Sequence, residues 1–384
     1  MKNVILLLNC ALLILGCTQK KESSIQQNEN MPDNHLYLLI GTYTEGSSTG
    51  IYVYDFDAET ADTKYVSDIK DVSNPSYLTV SADEQFVYSV NEDEDGAASA
   101  FSFDKKTGVL EKLNTEKTGG AHPCYINVDK ERRFAVTANY NGGSLSVFPI
   151  AKDGNLNPVS QYLDMNYSER STIEPVSHIH TALFSPDNQY LFVTDLGKDK
   201  IYWFYFEDDN GNVVVVQDAN KTTELERGSG PRHLAFHPNG KFLYSINELA
   251  GTVTAFDYKE NGLSAIQYIA SDITPSIGDK GSADIHLSPD GRFLYASNRL
   301  KADGIAIFSV NQKDGMLTKV GYQETGIHPR NFILTPDGRF LLVANRNSNN
   351  IQIFSIDKET GLLKDTGKTV EIDMPVCLKW ISKA

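Results

Sequence analysis

The stretch SPDGRFLYASNR, residues 288–299, decides the fold because similar stretches recur along the chain. In each copy a polar turn leads into an apolar run that begins with an aromatic residue. The copies are SADEQFVYSVNE (81–92), DKERRFAVTANY (129–140), SPDNQYLFVTDL (185–196), HPNGKFLYSINE (237–248), SPDGRFLYASNR (288–299) and TPDGRFLLVANR (335–346). A recurring spacing of roughly 50 residues indicates a repeat architecture.

Each repeat contains four strand-like runs. A short apolar run such as YLTV or FILT precedes the turn, and a third run ending in Phe, such as VTAFDY or IAIFSV, follows the aromatic run. A weaker fourth run completes the unit. Four short strands per unit are typical of a β-propeller blade. No window shows a sustained helical period, so the predicted class is all-β.

A seventh blade is divided between the two ends of the repeat region. LYLLIGTY (36–43) and GIYVYDFD (50–57) look like second and third strands without a first, and MPVCLKWIS (374–382) looks like a first strand without a second. Pairing them would close the ring and remove unpaired sheet edges. We therefore predict one seven-bladed β-propeller over residues 35–384, closed by its N- and C-terminal strands, and we expect a monomer.

The first 17 residues have the pattern of a targeting segment. Lys2 precedes the apolar run VILLLNCALLIL (4–15), which is too short to span a bilayer comfortably, and Gly16 precedes Cys17. This pattern resembles a bacterial lipobox and predicts a lipoprotein signal peptide over residues 1–17 that ends at a lipidated Cys17. The alternatives are a plain secretory signal and a short anchor.

Residues 18–34 are polar and predict a disordered tether between the anchor and the propeller. Acyl chains at Cys17 would hold a soluble fold on a membrane surface. We therefore expect the protein in the cell envelope, in the periplasm or on the outer-membrane surface, with membrane contact only through its lipid anchor.

The composition and the absence of several motifs reduce the number of possible function classes. The 384 residues carry a formal net charge of −15, which argues against nucleic acid as a partner because that ligand needs a basic face. The sequence has no HExxH, CxxC or phosphate-binding glycine motif, and we predict no cofactor and no metal. We expect Cys124 and Cys377 to be buried free thiols.

Polar residues gather where the first strands begin and the second strands end. In a blade the first strand lines the central channel and the second runs antiparallel to it, so these ends share one face. The positions with opposing charges are Arg232, Glu248 and Arg299. The predicted substrate-binding residues are His122, Asn139, Tyr140, His233, Asp284, His286, His328 and Arg330. Polar groups converging at one mouth of an apolar repeat are typical of a ligand site, although structural ion pairs between blades are an alternative.

At these residues the chain resembles the seven-bladed lactonase family, which includes bacterial propeller-type 6-phosphogluconolactonases and fungal carboxy-cis,cis-muconate lactonizing enzymes. The most specific segments are GSGPRHLAFHPNGKFLYSINEL (228–249), SADIHLSPDGRFLYASNR (282–299) and SHIHTALFSPDN (177–188). Muconate-type members use a His, two Arg and a Glu. The resemblance places these catalytic residues at His180, Arg232, Glu248 and Arg299, with His178 as the alternative to His180.

The resemblance implies hydrolysis of a small anionic sugar lactone, with 6-phosphogluconolactone as the first expectation. In this hypothesis Glu248 is the general base on water and His180 protonates the leaving alkoxide. Arg232 and Arg299 would hold the substrate anion or stabilise the oxyanion.

Other functions stay open at this point. They are a muconate-type lactonizing cycloisomerase, another lactonase such as a metal-dependent gluconolactonase, and a non-catalytic surface propeller that binds glycan or protein. The leader and the insert MNYSERSTIEPVS (165–177) depart from the compact bacterial enzymes.

Overall fold

Antiparallel sheets with at least four strands repeat seven times in the described part of the chain. A computed structural model describes Met1 and residues 34–166, 176–209 and 212–383. Almost the whole predicted leader and tether, including Cys17, and residues 167–175 of the insert lie outside this part. No helix within these ranges is both long enough and apolar enough to cross a membrane.

The strands follow one another with short connections. The first are β1 His35–Thr42, β2 Gly50–Asp57, β3 Thr63–Lys70, β4 Leu78–Val80, β5 Phe86–Asn91, β6 Ala97–Asp104, β7 Val109–Lys117, β8 Pro123–Val128, β9 Phe134–Asn139, β10 Ser144–Pro149, β11 Gln161–Asp164, β12 Ile179–Phe184, β13 Tyr190–Asp195, β14 Lys200–Asp209, β15 Asn212–Gln217 and β16 Thr223–Glu224. The remaining strands are β17 Pro231–Phe236, β18 Phe242–Asn247, β19 Thr252–Lys259, β20 Gly262–Ala270, β21 Ser282–Leu287, β22 Phe293–Asn298, β23 Gly304–Val310, β24 Leu317–Glu324, β25 Pro329–Leu334, β26 Phe340–Asn345, β27 Asn350–Ile356, β28 Leu363–Glu371 and β29 Pro375–Ser382. Two short 3₁₀ helices span Ala219–Lys221 and Ile277–Asp279.

Each blade pairs its strands in chain order, and one blade joins the two ends. Six sheets follow the orders β4 to β7, β8 to β11, β12 to β15, β17 to β20, β21 to β24 and β25 to β28. The seventh has the order β29-β1-β2-β3, with Gly41 opposite Cys377 and Tyr37 opposite Ile381. The predicted seven-bladed propeller and its closure are therefore confirmed.

The repeated Pro-Asp-Gly turn forms a small hydrogen-bonded unit. The Ser288 hydroxyl donates to Asp290 Oδ1 at 2.6 Å and accepts from the Phe293 N–H at 3.0 Å. Gly291 has a φ of +72°, which glycine adopts without a steric penalty. The turn thus fixes the register in which the second strand starts.

Neighbouring blades interlock through these aromatic strand starts. Phe293 packs against Gly361 in the next blade, where an added Cβ would lie 2.3 Å from the ring. In the same contact the Tyr295 hydroxyl donates to the Gly361 carbonyl at 2.9 Å. Phe242, Tyr244 and Gly315 repeat this arrangement one blade earlier. The glycine is required because the aromatic ring occupies the space of a side chain.

The two cysteines of the described residues are free. Cys124 and Cys377 are both buried on channel-lining strands and form no disulfide, as we expected.

Candidate active site

One ring of residues, which we call the rim ring, is fixed by a repeated backbone hydrogen bond. The residue after each second strand donates its N–H to a carbonyl at the start of the first strand. The pairs are Tyr43 to Met374, Glu92 to Asn74, Tyr140 to His122, Leu196 to His178, Glu248 to Gly230, Arg299 to Gly281 and Arg346 to His328, at 2.7 to 3.1 Å. This bond holds seven side chains at one face of the propeller.

A second ring comes from β-bulges in the first strands. The register shifts near the start of β8, β12, β17, β21, β25 and β29. Because a bulge re-aims a side chain, the second residue of each strand leaves the normal alternation. These bulge-ring residues are Cys124, His180, Arg232, Ala283, Arg330 and Val376.

Glu248 of the rim ring lies between two buried guanidinium groups. Its Oε2 is 2.9 Å from Arg232 Nε, and its Oε1 is 3.1 Å from Arg299 Nη2. The Arg232 and Arg299 side chains are 2% and 6% exposed, whereas that of Glu248 is 24% exposed. The structure therefore brings together three of the four predicted catalytic residues, with the carboxylate facing the solvent side.

A buried chain of polar groups supports Arg232 from below. Arg232 Nη1 donates to the Ala283 carbonyl at 2.7 Å and lies 3.2 Å from His233 Nε2. Because a guanidinium only donates, Nε2 is the acceptor, and His233 Nδ1–H donates to Asp284 Oδ1 at 2.7 Å. His233 and Asp284 thus orient Arg232 from beneath the mouth.

Charge and burial determine the ionisation of this cluster. Burial raises the pKa of Glu248, but Arg299 and Arg232 outweigh it, so the pKa lies below its ordinary value. Burial lowers the pKa of Arg299 to about 10, although the negative charge of Glu248 acts to raise it. At neutral pH the cluster therefore consists of two cations and one anion, and Glu248 is a weak proton acceptor.

His180 is held as a neutral imidazole next to these cations. It is 4% exposed, and its ring centroid is 5.2 Å from that of His233. Burial, followed by the charge of Arg232, holds its pKa well below the ordinary value. Its Nδ1 has no hydrogen-bond partner in the described residues. A neutral imidazole with a vacant nitrogen can accept a proton, whereas the sequence hypothesis made His180 the proton donor.

A second charged cluster across the mouth was not predicted as a group. The Tyr43 hydroxyl donates to Glu92 Oε2 at 2.9 Å, and Arg330 Nη2 is 3.8 Å from the same oxygen. The Arg346 guanidinium lies over the Tyr43 ring at 4.7 Å. Sequence reasoning selected only Arg330 as a site residue. Tyr43, Glu92 and Arg346 were missed, although the aligned repeats place all three directly after a second strand, which is the position of the rim ring.

The remaining rim residues flank these clusters. His178 is half-buried and stacked on Tyr140, with ring centroids 4.6 Å apart, so the bulge places His180, and not His178, against His233. His122 has a φ of +50° and its Nδ1 lies 2.9 Å from Asn141 Nδ2.

His328 also has a left-handed backbone, with a φ of +64°. Burial, followed by the charge of Arg299, lowers its pKa to about 3. Strained backbone in non-glycine residues is often found at functional sites. His328 therefore borders the mouth as a neutral group rather than as a fixed cation.

Four predicted binding residues occupy other places. Asn139 is fully buried, and its amide donates to Ser144 and Ser146 within its own blade at 3.0 and 2.9 Å. His233 and Asp284 lie beneath the mouth. His286 lies on the turn side of the channel, where its Nε2 is 3.1 Å from Asp284 Oδ2. These placements correct the expectation that all four side chains face the mouth.

Within the described residues, no group of three or more His, Cys, Asp or Glu side chains is arranged to hold a metal ion. The groups present at the mouth can transfer protons and can stabilise an anion with fixed guanidinium groups.

Comparison with known proteins identifies the family to which the chain belongs. Residues 37–380 match the family model described as Lactonase, 7-bladed beta-propeller. A 6-phosphogluconolactonase of Formosa agariphila is 39% identical over 335 residues, which cover 85% of this chain and 94% of that protein. A 6-phosphogluconolactonase of Bacillus subtilis is 36% identical and covers 89% of this chain and 97% of its own length.

Solved structures give the same result. A Bacteroides fragilis protein, provisionally named a 6-phosphogluconolactonase, is 50% identical with a TM-score of 0.85, covering 91% of this chain and 98% of that one. The periplasmic gluconolactonase of Pseudomonas aeruginosa is 34% identical with a TM-score of 0.85, covering 91% and 100%. The chain belongs to the seven-bladed β-propeller lactonase family, and this membership indicates an enzyme that hydrolyses lactones.

Proposed function

We propose that the chain hydrolyses 6-phosphogluconolactone to 6-phosphogluconate at the mouth of its channel. The observation that carries the proposal is the charge balance there. Three largely buried guanidinium groups, Arg232, Arg299 and Arg330, lie at the mouth with two carboxylates, Glu248 and Glu92, while Asp284 lies in the layer beneath. An excess of buried positive charge favours an anionic ligand. The relatives named 6-phosphogluconolactonase support this substrate.

The reaction needs a base for water and a stabiliser for the oxyanion. The neutral His180 accepts a proton from the attacking water, whose oxygen bonds to the lactone carbonyl carbon. Arg232 and Arg299, fixed by Glu248, stabilise the oxyanion that forms. When the ring C–O bond breaks, His180 returns the proton to the leaving alkoxide. His180 is thus both base and acid, and Glu248 orients the cations.

An anionic substrate would also adjust the basicity of His180. The positive charge of Arg232 is one cause of the low pKa of this imidazole. A bound phosphate or carboxylate opposes that charge and raises the pKa of His180. The imidazole would therefore become a better base when the substrate is bound.

Arg330 is the guanidinium that we assign to the substrate phosphate. It is the most loosely ion-paired of the three, with its carboxylate contact at 3.8 Å, whereas those of Arg232 and Arg299 are 2.9 and 3.1 Å. We expect Arg330→Met to lower kcat/KM at least tenfold more for 6-phosphogluconolactone than for gluconolactone. Steady-state rates with both lactones measure this ratio, and the exposed Arg227→Met is the control. Equal losses of kcat/KM on both lactones would show that Arg330 does not bind the substrate phosphate.

A second candidate substrate is the unphosphorylated gluconolactone. The observation in its favour is the similarity to a periplasmic gluconolactonase. The test of the proposed function is a panel of purified protein against 6-phosphogluconolactone, gluconolactone and other sugar lactones, followed by acid release and corrected for spontaneous opening. We expect the highest kcat/KM with the phosphorylated lactone. A higher value with gluconolactone would select the second candidate, and no turnover would favour a binding module.

We also propose that the protein is a lipoprotein of the cell envelope, anchored at Cys17. The supporting observation is the apolar run of residues 4–15 followed by Gly16 and Cys17. Metabolic labelling with a radioactive fatty acid should mark the parent protein but not Cys17→Ser. Equal labelling of both proteins, or a lack of label in both, would contradict the anchor.

A further inference from the structure

A second cavity opens at the turn side of the channel, away from the predicted catalytic residues. Its volume is about 510 Å³, and its lining includes His233 and Asp284 but none of His180, Arg232, Glu248 and Arg299. This volume lies within the usual range for small-molecule sites.

A layer of packed side chains lies between the cavity and the mouth. Tyr77 and Tyr125 are stacked with centroids 4.1 Å apart, and each meets the His233 ring edge-to-face. Asp284 receives hydrogen bonds from His233 and Asn331 in the same layer. The cavity is therefore a space distinct from the mouth, with the two sharing only this layer.

The polar lining of the cavity comes from strand alternation. Because side chains alternate along a strand, the residue two positions after each layer residue faces the channel again. Those that line the cavity are Thr79, Asn127, Leu183, Ala235, His286 and Lys379. One side of the cavity is thus apolar, while the other offers a hydroxyl, an amide, an imidazole and an ammonium group.

Among the described residues, the cavity contains one ammonium group, that of Lys379, which is not paired with a carboxylate. Its Nζ is 3.3 Å from the Tyr77 hydroxyl and 4.5 Å from the centre of that ring. None of the carboxylates that the structure describes is an ion-pair partner of Lys379. The nearby Asp284 is already engaged by two histidines and an asparagine. A partly buried cation with a π-face but no carboxylate is suited to bind an anion.

We propose that this cavity binds a small hydroxylated monocarboxylate. The carboxylate would pair with Lys379, and the hydroxyl groups would bond to Asn127, Thr79 and His286. A phosphate dianion fits less well, because the lining has one fixed cation and the Asp284 carboxylate close by. The proposal is independent of the reaction at the mouth, since it uses none of the predicted catalytic side chains.

Isothermal titration calorimetry with sodium gluconate tests the proposal. The parent protein should bind gluconate at the cavity with a component that persists in Arg232→Met, which removes one of the three guanidinium groups of the mouth. Lys379→Met should weaken that component at least tenfold. Lys319→Met is the matched control, because Lys319 also lies over a tyrosine ring, at 5.1 Å from Tyr322.

Three results would overturn the proposal. They are an unchanged gluconate affinity in Lys379→Met, complete loss of gluconate binding in a folded Arg232→Met, and inorganic phosphate that displaces gluconate from the Lys379-dependent component at equal concentration. Should Lys379→Met fail to fold, crystals of the parent protein soaked in gluconate decide the question. Density within hydrogen-bond distance of Lys379 Nζ supports the site, and an empty cavity contradicts it.

Discussion

The imidazole of His180 combines a vacant nitrogen with a strongly cationic surrounding. Burial and Arg232 keep it unprotonated well below the ordinary imidazole pKa, and Nδ1 has no partner among the residues described. A buried nitrogen without a partner costs free energy, so a substrate or a water that bonds to it would be favoured. This residue therefore links the electrostatics of the mouth to proton transfer.

Replacing His180 tests its role as the base. We expect His180→Gln to lower kcat/KM at least about 100-fold, the usual scale of general acid–base catalysis. The parent should keep its activity as the pH falls below 6.5, since His180 stays neutral there and is protonated only at lower pH. A pH profile of kcat/KM from 4 to 9 measures both effects, with His35→Gln as the control. A parent profile that falls with an apparent pKa near 6.5 would contradict the assignment.

Single residues also show where sequence reasoning ends. The alignment of repeats placed Arg232, Glu248 and Arg299 at one face, and in the structure the Glu248 carboxylate lies within 3.1 Å of both guanidinium groups. It could not separate His178 from His180, because a one-residue bulge is not visible in a period-two pattern. Nor could it recognise that Asn139 satisfies its amide inside the blade.

At the scale of the element, a buried asparagine ties the end of a second strand to the third strand. Asn247 Nδ2 donates to Thr252 and Thr254 at 2.9 and 2.8 Å, and the next residue is Glu248. Asn139 and Asn345 make the corresponding contacts in their blades. In these three blades the clamp therefore positions the rim-ring residue that follows the asparagine.

Removing one clamp should affect both stability and activity. Asn247→Ala deletes two buried hydrogen bonds, and we expect the free energy of unfolding to fall by about 2 kcal/mol. We also expect a lower kcat/KM, because Glu248 loses its fixed position. Urea unfolding and initial rates measure the two effects, with Asn311→Ala in an outer turn as the control. Parent-like stability and rate in the variant would contradict the role of the clamp.

The elements themselves were predictable to different degrees. The first three strands of each repeat follow from the turn and the alternating runs, and the terminal pairing follows from the need to close the ring. The fourth strands carry a weaker pattern because much of their surface is exposed, as in β7 and β20. The two-residue β16 has no signal of its own, since it exists only by pairing with β14.

At the scale of the whole molecule, buried neutral histidines make stability depend on pH. Burial and Arg232 lower the pKa of His233 to about 4, whereas an unfolded histidine titrates near 6.5. Between these values the unfolded chain binds a proton that the folded chain does not, so stability falls as the pH is lowered through this window. His180 and His328 act in the same direction.

Unfolding at two pH values tests this linkage. We expect His233 to contribute a loss of about 3 kcal/mol between pH 7 and pH 4, and His233→Gln should remove that share of the pH dependence. Urea unfolding of parent and variant at both pH values measures the difference, with His35→Gln as the control. The same pH dependence in parent and His233→Gln would contradict the account.

The closed ring brings charged groups from separate blades to one mouth. Glu248 lies at the centre of that arrangement, between Arg232 and Arg299. The most direct test is the rate at which folded Glu248→Gln opens 6-phosphogluconolactone, with Glu111→Gln on an outer strand as the control. Our account predicts that kcat/KM falls at least about 100-fold while the control keeps the parent rate. Hydrolysis by folded Glu248→Gln at the parent rate would contradict it.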